Sequence, residues 1–298
     1  MQYLIQKDCP DFVAPALMPD GAFDNSFRLS DFFAGHYGVI FFFPLDFNYI
    51  SWTELLSVQK RMQEFAALNT KVVAISGDTH LAHRTWRVLS RAEGGLGPLA
   101  FPLVADMTRD ASRLFDVLVA EALPEAATII VDPENKAIFQ LRHDTAVGRN
   151  IDRILEAITM FHDAGKAPTA PVEQILLVEQ NAAKFHQLGF NIVAQSVDTG
   201  LDHPQWKRLP RDGQGNIKLS FPFLDHQHDW PTHTGMTIAI REGLEFHSTG
   251  VLMPDGQLLF EHHAARQVPR DFTEMLRIAD AVKHHFATGE TVPWEVPA

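Results

Sequence analysis

Apolar positions along the chain fall into continuous blocks and helically spaced sets. Val39 to Phe43 is an unbroken apolar block closed by Pro44, and Val72 to Ser76, apolar but for its last residue, is a second stretch of the same kind. Such blocks predict strands buried on both faces. Between them Leu55, Leu56, Val58, Met62, Phe65 and Leu68 recur at helical spacing and predict one helix from Ser51 to Leu68. His80 to Leu89 predicts a second helix. Pro10 to Leu29, rich in turn formers, predicts short strands or a hairpin. Ala127 to Val131 and Ala137 to Leu141 predict two strands around the turn Asp132-Pro133-Glu134-Asn135, followed by a helix from Arg149 to Phe161. Strands alternating with helices predict an α/β sheet. Ala164 to Pro171 is the best linker candidate, and it separates an expected domain over 1–165 from one over 172–298.

Beyond the linker the pattern returns. Asp78, His83 and Trp86 recur as Asp198, His203 and Trp206, each 120 residues later, and Phe101-Pro102 recurs as Phe221-Pro222. Val58, Phe65 and Leu68 recur as Val178, Phe185 and Leu188. After a one-residue insertion Pro133, Phe139, Val147, Arg149 and Leu155 recur as Pro254, Phe260, Val268, Arg270 and Leu276. One gap in so long a match predicts an internal duplication. The second copy has no counterpart of residues 1–50, so the sequence leaves one place in its sheet unfilled.

Composition narrows the function. Apolar residues make up 46% of the 298, enough for two cores. With 25 basic and 37 acidic residues the net charge is −12, and no basic stripe invites nucleic acid. The longest apolar run, Gly38 to Leu45, is too short to span a bilayer. The N-terminal residues lack a signal-peptide layout, which gives a cytoplasmic expectation. The single cysteine, Cys9, excludes an intrachain disulfide or a thiolate metal cluster.

The segment Phe43-Pro44-Leu45-Asp46-Phe47-Asn48-Tyr49-Ile50-Ser51-Trp52-Thr53-Glu54 resembles the active-site segment of the peroxiredoxins, the AhpC/TSA family. Pro10-Asp11-Phe12 with Ala14-Pro15, Ser76 to Trp86, Gly94-Gly95-Leu96-Gly97-Pro98-Leu99, Phe101 to Asp106, Ile129 to Pro133 and Val147-Gly148-Arg149 follow in the family's order. The likeness is close over about 8–165 and weaker in the second copy, where Gly289 to Trp294 resembles the family's tail. It implies a thioredoxin-like α/β fold in two tandem copies, the second truncated.

The family's chemistry, as the resemblance implies it, needs a thiolate at a helix head that becomes a sulfenic acid. Its motif is Pro-x-x-x-Thr-x-x-Cys with a distant Arg. Here Pro44 is kept, Asn48 replaces the Thr, Ser51 the Cys and Trp52 the usual Pro, while Ala126 stands where the Arg is expected. Val292 stands where the tail would carry a resolving cysteine. A serine hydroxyl has no accessible anion near neutral pH without a strong base, and oxygen has no sulfenic state. No catalytic residue and no cofactor are therefore expected. Trp52 is expected to plug the vacated peroxide pocket, and Cys9 to be a bystander.

Two other clusters compete for attention. His226, His228, Asp229 and His233 carry metal-ligand types, but their spacing follows no known ligand frame, so no metal is expected there. Ser51, His80, His83 and Asp46 have the types of a hydrolase triad but lack a nucleophile elbow; His80, His83 and Trp86 are expected to be structural. The leading expectation is a pseudo-enzyme that binds, scaffolds or regulates an unknown protein partner, with no nucleic acid and no membrane. The alternative is a metal-dependent or residual peroxide-related oxidoreductase using the His/Asp group of the second copy. The copies are expected to pair within the chain as a pseudo-dimer, Ile138–Leu141 against Gln257–Phe260, with homo-oligomers open.

Overall fold

The computed structural model describes residues 4–119, 122–163, 170–225 and 235–295. Contacts divide the chain into two units, Met1–His162 with Glu290–Ala298, and Asp163–Gly289.

Unit 1 runs β1 (Val13–Leu17), β2 (Phe23–Arg28), α1 (Leu29–Phe33), β3 (Tyr37–Phe42), α2 (Tyr49–Lys60), α3 (Met62–Ala67), β4 (Thr70–Ser76), α4 (His80–Val88), β5 (Leu103–Ala105), α5 (Asp110–Leu114), β6 (Leu118–Val119), β7 (Leu123–Pro124), β8 (Ala126–Val131), β9 (Ala137–His143) and α6 (Ile151–His162). Its main sheet has the order β9-β8-β3-β4-β5-β1-β2. The central β3, β4 and β5 are parallel, and antiparallel neighbours flank them. All six residues of β3 are buried, as an apolar block at the centre of a covered sheet requires. Ile40, Phe42, Val73, Ile75, Phe115 and Ile129 belong to one core cluster.

The helix expected over Ser51–Leu68 is two helices. Arg61 ends α2 and opens α3 with φ −101° and ψ 8°, outside helical values. Its guanidinium bonds to Glu64 and to Asp152 of α6, and the bend leaves Phe65 fully buried.

The tail returns to unit 1. Val292 forms a bridge with Val147: Gly148 N–H donates to the Val292 carbonyl at 2.8 Å and Val292 N–H to the Ala146 carbonyl at 2.7 Å. Gly148 is required there, because a Cβ would collide with the backbone of Pro293 and Trp294.

Unit 2 runs α7 (Pro171–Leu188), β10 (Asn191–Ser196), β11 (Phe223–Leu224), β12 (Thr237–Glu242), β13 (Phe246–Leu252), β14 (Leu258–Ala265) and α8 (Phe272–Thr288). Pro171 opens α7 at a position where the missing N–H is harmless, and Gly189 ends it at φ +89°. The sheet order is β11-β10-β12-β13-β14, with β11 and β12 parallel to β10 and the rest antiparallel.

The unfilled place in this sheet is taken by β12, and the register shows how closely it fits. In unit 1 Gly38 of β3 faces Lys71 on one side and Val131 on the other. In unit 2 Thr237 of β12 faces Asn191 and Leu252, the positions that answer to Lys71 and Val131 at offsets of 120 and 121. The strand comes from an unexpected part of the chain. It lies in the connection from β11 to β13, whereas the connection from β5 to β8 in unit 1 holds α5 and the β6–β7 hairpin.

Ile240, at the centre of β12, is fully buried. Ile240→Ala is expected to cost about 2–5 kcal/mol, the range for truncating a core aliphatic, because β12 has buried neighbours on both sides. Urea denaturation of the full chain measures it; a loss under about 1 kcal/mol would mean that β12 is a peripheral strand.

Candidate functional site

The loop after β3 carries the positions singled out by sequence. Phe47 adopts φ +61°, a left-handed conformation that a bulky side chain enters only under constraint. Its ring is 5.5 Å from that of Trp86. Asn48 then caps α2. Its Oδ1 accepts the Ser51 N–H at 3.0 Å and the Ser51 hydroxyl at 3.3 Å. Ser51 is buried, so its hydroxyl is turned onto the cap and away from solvent.

This polarity is the reverse of what a nucleophilic anion needs. A helix head stabilises a negative charge through free N–H groups and donors aimed at it. Here the Ser51 N–H is consumed, and the side-chain partner of its hydroxyl is a carbonyl oxygen carrying partial negative charge. Trp52 is half-buried; its Nε1–H donates to the Gly95 carbonyl at 3.0 Å and its ring stacks with Tyr49 at 6.1 Å. The indole thereby ties the first turn of α2 to the loop around Gly95. That loop is itself tight, since a Cβ on Gly95 would collide with the Leu89 carbonyl.

Ala126, the first residue of β8, is buried and brings no charge. A buried cation at this end of the sheet is Arg149, which the sequence brings up in the Val147-Gly148-Arg149 motif and as the counterpart of Arg270. Its N–H donates to Glu54 Oε1 at 2.8 Å and its Nε to Glu54 Oε2 at 3.0 Å. Nη1 donates to the Ala127 carbonyl at 2.8 Å and to Thr128 Oγ1 at 3.2 Å. Nη2 donates to the Phe42 carbonyl at 2.8 Å and lies 2.9 Å from Glu54 Oε2. Every donor of the guanidinium is occupied. Arg149 locks β3, β8 and α2 together and has nothing left for a substrate.

The triad types do not assemble. His83 Nδ1 lies 2.8 Å from Asp46 Oδ2, and its Nε2 lies 3.2 Å from the Val104 carbonyl, so neither nitrogen is free to take a proton from Ser51. Burial raises the Asp46 carboxyl, and the His83 partner opposes that rise. Trp86 Nε1–H donates to the Gly94 carbonyl at 2.8 Å. Pro44 stands in the loop between β3 and Asn48. Cys9 is buried away from any helix head, and its thiol is pushed up to about 12, first by burial and then by Asp11.

In unit 2 the same framework reappears with a different carboxylate. Arg270 N–H donates to Gln174 Oε1 at 3.3 Å, as Arg149 does to Glu54. Its Nε donates to Thr249 Oγ1 at 2.9 Å, and Nη2 donates to the carbonyls of Arg241 at 2.9 Å and Ser248 at 2.7 Å. The balancing carboxylate is Glu242 at the end of β12, which bonds Arg270 Nη1. The 120-residue offset sets Glu54 against Gln174 in the sequence, a carboxylate against an amide, while nothing in the sequence points to Glu242 of β12 as the counter-charge. Pro171 stands at the counterpart of Ser51 and His247 at that of Ala126.

Ser248 Oγ lies 2.6 Å from His263 Nδ1, and His263 Nε2 lies 3.1 Å from Glu261. These are triad types, but Ser248 is fully buried on β13 between β12 and β14, where no substrate reaches it. His226, His228, Asp229 and His233 lie outside the described residues. Among the described residues no group of three His, Cys, Asp or Glu side chains could hold a metal ion, and no helix is long and apolar enough to cross a membrane.

A profile described as the AhpC/TSA family matches residues 5–139. The chain is 37% identical over 161 residues to the thioredoxin-dependent peroxide reductase, mitochondrial, of Drosophila melanogaster, covering 53% of this chain and 66% of that protein. It is 32% identical over 166 residues to alkyl hydroperoxide reductase C of Helicobacter pylori, covering 55% and 84%. Among solved structures, reduced 2-Cys peroxiredoxin of Plasmodium vivax matches with a TM-score of 0.54 at 26% identity, over 57% of this chain and 89% of that one.

Two outcomes follow from these networks. Glu54→Gln leaves Arg149 buried without its counter-charge and is expected to cost about 3–5 kcal/mol, read by urea denaturation. His247 has its imidazole held well below the ordinary 6.5, by burial first and then by Arg270, His262 and Arg266. The unfolded chain therefore takes a proton that the folded one refuses. Stability is full above about pH 6.5 and falls as pH drops below it, and His247→Phe should flatten that part of the stability–pH curve. An unchanged slope in the variant would remove His247 as the cause.

Proposed function

The chain belongs to the AhpC/TSA family, the peroxiredoxins, and from that membership we propose a binding or scaffolding role without thiol peroxidase activity. The carrying observation is Ser51, buried on its Asn48 cap at the position where the family motif has its cysteine. Peroxide reduction breaks the O–O bond by attack of a thiolate sulfur, which ends as sulfenic acid. Ser51 supplies no such sulfur, and Cys9 is buried with its thiol pushed up to about 12. The support positions differ from the family motif together: Asn48 presents an acceptor, Ala126 no charge, and Trp52 spends its indole N–H on the Gly95 carbonyl.

What the site offers instead is surface. Leu45, Phe47 and Tyr49 are exposed beside the closed head of α2. An aromatic, apolar patch of this kind suits a protein partner, and its place in the loop that once served catalysis gives the proposed role a location.

We infer as well that unit 2 is a second copy of the peroxiredoxin core. The offset recurrences support this, as do the matching registers of β12 and β3 and the shared set of acceptors around Arg149 and Arg270.

The expected outcome is no turnover of hydrogen peroxide or organic hydroperoxides with any dithiol reductant above a Cys9-free control. Ser51→Cys alone should restore little. Asn48→Thr, Ser51→Cys, Trp52→Pro and Ala126→Arg together should restore sulfenic acid formation at residue 51, measured by stopped-flow peroxide consumption and mass spectrometry. Fast turnover by the unmodified chain would sink the pseudo-enzyme reading and turn attention to His226, His228, Asp229 and His233.

A further inference from the structure

The head of α2 carries a set of rings pinned to one turn of the chain. Trp52 Nε1–H donates to the Gly95 carbonyl at 3.0 Å, and Trp86 Nε1–H donates to the carbonyl of the preceding residue, Gly94, at 2.8 Å. Each anchored indole supports a ring that faces water. Phe47 lies 5.5 Å from Trp86, and Tyr49 stacks on Trp52 at 6.1 Å with the planes 28° apart. Trp86 is fully buried, whereas Phe47 is 52% exposed, Tyr49 49% and Leu45 41%. The left-handed backbone of Phe47 and the helical backbone of Tyr49 hold both residues in place. Rigid exposed aromatics lose little entropy when they are covered, which is what a binding hot spot needs.

The surroundings narrow what can cover these rings. β3 lies between β8 and β4, so it offers no free edge to an added strand. Asp46 with His83 and Glu54 with Arg149 are buried pairs, so no arginine cluster awaits a phosphate or a carboxylate. The N–H groups of Gly94, Gly95 and Leu96 are spent on the carbonyls of Arg91, Ser90 and Trp86, so the turn is no anion nest. Rings that stand half in water are projections, and an amphipathic helix needs a trough. What is left is ring surface and one phenol hydroxyl. A proline-rich segment matches both. Proline has no N–H to lose from water, the polyproline II helix is ordered before it binds, and its outward carbonyls accept from a tyrosine hydroxyl. Charge sets the flanks. Arg91 and Glu93 offset each other beside Gly94, and the net charge of −12 on the chain draws basic residues.

We propose that Leu45, Phe47 and Tyr49 form the docking surface for a proline-rich segment of a partner protein, in the polyproline II conformation and flanked by lysine or arginine. Phe47 and Tyr49 are two residues apart, so their Cα atoms are at most about 7 Å apart. Rings projecting from that base flank one turn of polyproline II, which is about 9 Å long. The Tyr49 hydroxyl donates to a carbonyl of the segment. This assignment rests on the binding role proposed above and names the chemistry of its partner.

The test is fluorescence anisotropy of labelled peptides with the full chain at low salt. One peptide is a run of about eight prolines between lysine pairs. A second replaces the prolines by glycine and serine, and a third keeps the prolines between glutamate pairs. The first should bind saturably, the second should not bind, and the third should bind about tenfold more weakly than the first. Phe47→Gly suits the left-handed backbone and Tyr49→Ala lies at an exposed position, so both variants should fold. Each should weaken binding of the first peptide about tenfold. Phe286→Ala, which removes an exposed ring of unit 2, should bind it as the unmodified chain does. The proposal is overturned by an absence of saturable binding, by equal binding of the second or third peptide, or by undiminished binding in the Phe47→Gly and Tyr49→Ala variants. Self-association of the unmodified chain that those variants abolish also overturns it, since a second copy then covers the face. Peroxide turnover is read on the same chain without peptide, so the loss of peroxidase activity and the docking of proline can each fail alone.

Discussion

A guanidinium buried at the head of a sheet is the constraint on which both units rest. Strand ends present carbonyl oxygens that the sheet itself leaves unpaired, and a helix must be fixed above them. Arg149 meets both needs, taking the carbonyls of Phe42 and Ala127 and the carboxylate of Glu54 on α2. Arg270 does the same with the carbonyls of Arg241 and Ser248. A charge removed from water at such a place is tolerable only when every donor is matched. The two units solve the matching differently, one through a helix carboxylate and the other through a strand carboxylate. Geometry around the arginine is thus preserved while the identity of its counter-ion is free to move.

The head of α2, beside Arg149, is satisfied by contacts of its own. Ser51, Asn48 and Trp52 satisfy one another locally: a cap for the helix, a bond for the hydroxyl, and a carbonyl for the indole. None of these contacts is shared with the Arg149 network. The contacts at the head of α2 and the frame around Arg149 are therefore held independently.

Much of this was legible in the residues, and the exceptions have physical causes. Continuous apolar blocks placed β3 and β4 because a covered parallel sheet demands them. Offset recurrences brought Arg149 and Arg270 to notice, but not their roles, which depend on carbonyl groups that sequence does not distinguish. The break at Arg61 was hidden because apolar spacing on either side fits one helix; at the break Arg61 bonds Glu64 and Asp152, contacts that spacing does not reveal. β12 was missed for a deeper reason. Its residues Thr237 to Glu242 lie in a stretch whose counterpart in unit 1 forms no central strand, so analogy between the copies argued against it. The head of α2 was the easiest to read, since each altered position departs from a known pattern in a way chemistry can judge.

The late position of β12 also changes the order in which a nascent chain can fold. In unit 1 the central β3 waits for β8, which leaves the ribosome long after it, so that seam closes over a large loop. In unit 2 β12, β13 and β14 follow one another as an antiparallel meander, and each seam closes over a short turn. Small loops lose little entropy on closure, and local pairing speeds folding. The sheet of unit 2 can therefore nucleate from its own C-terminal meander and then recruit the earlier β10 and α7. Two cores with closely matching registers would then assemble by opposite routes.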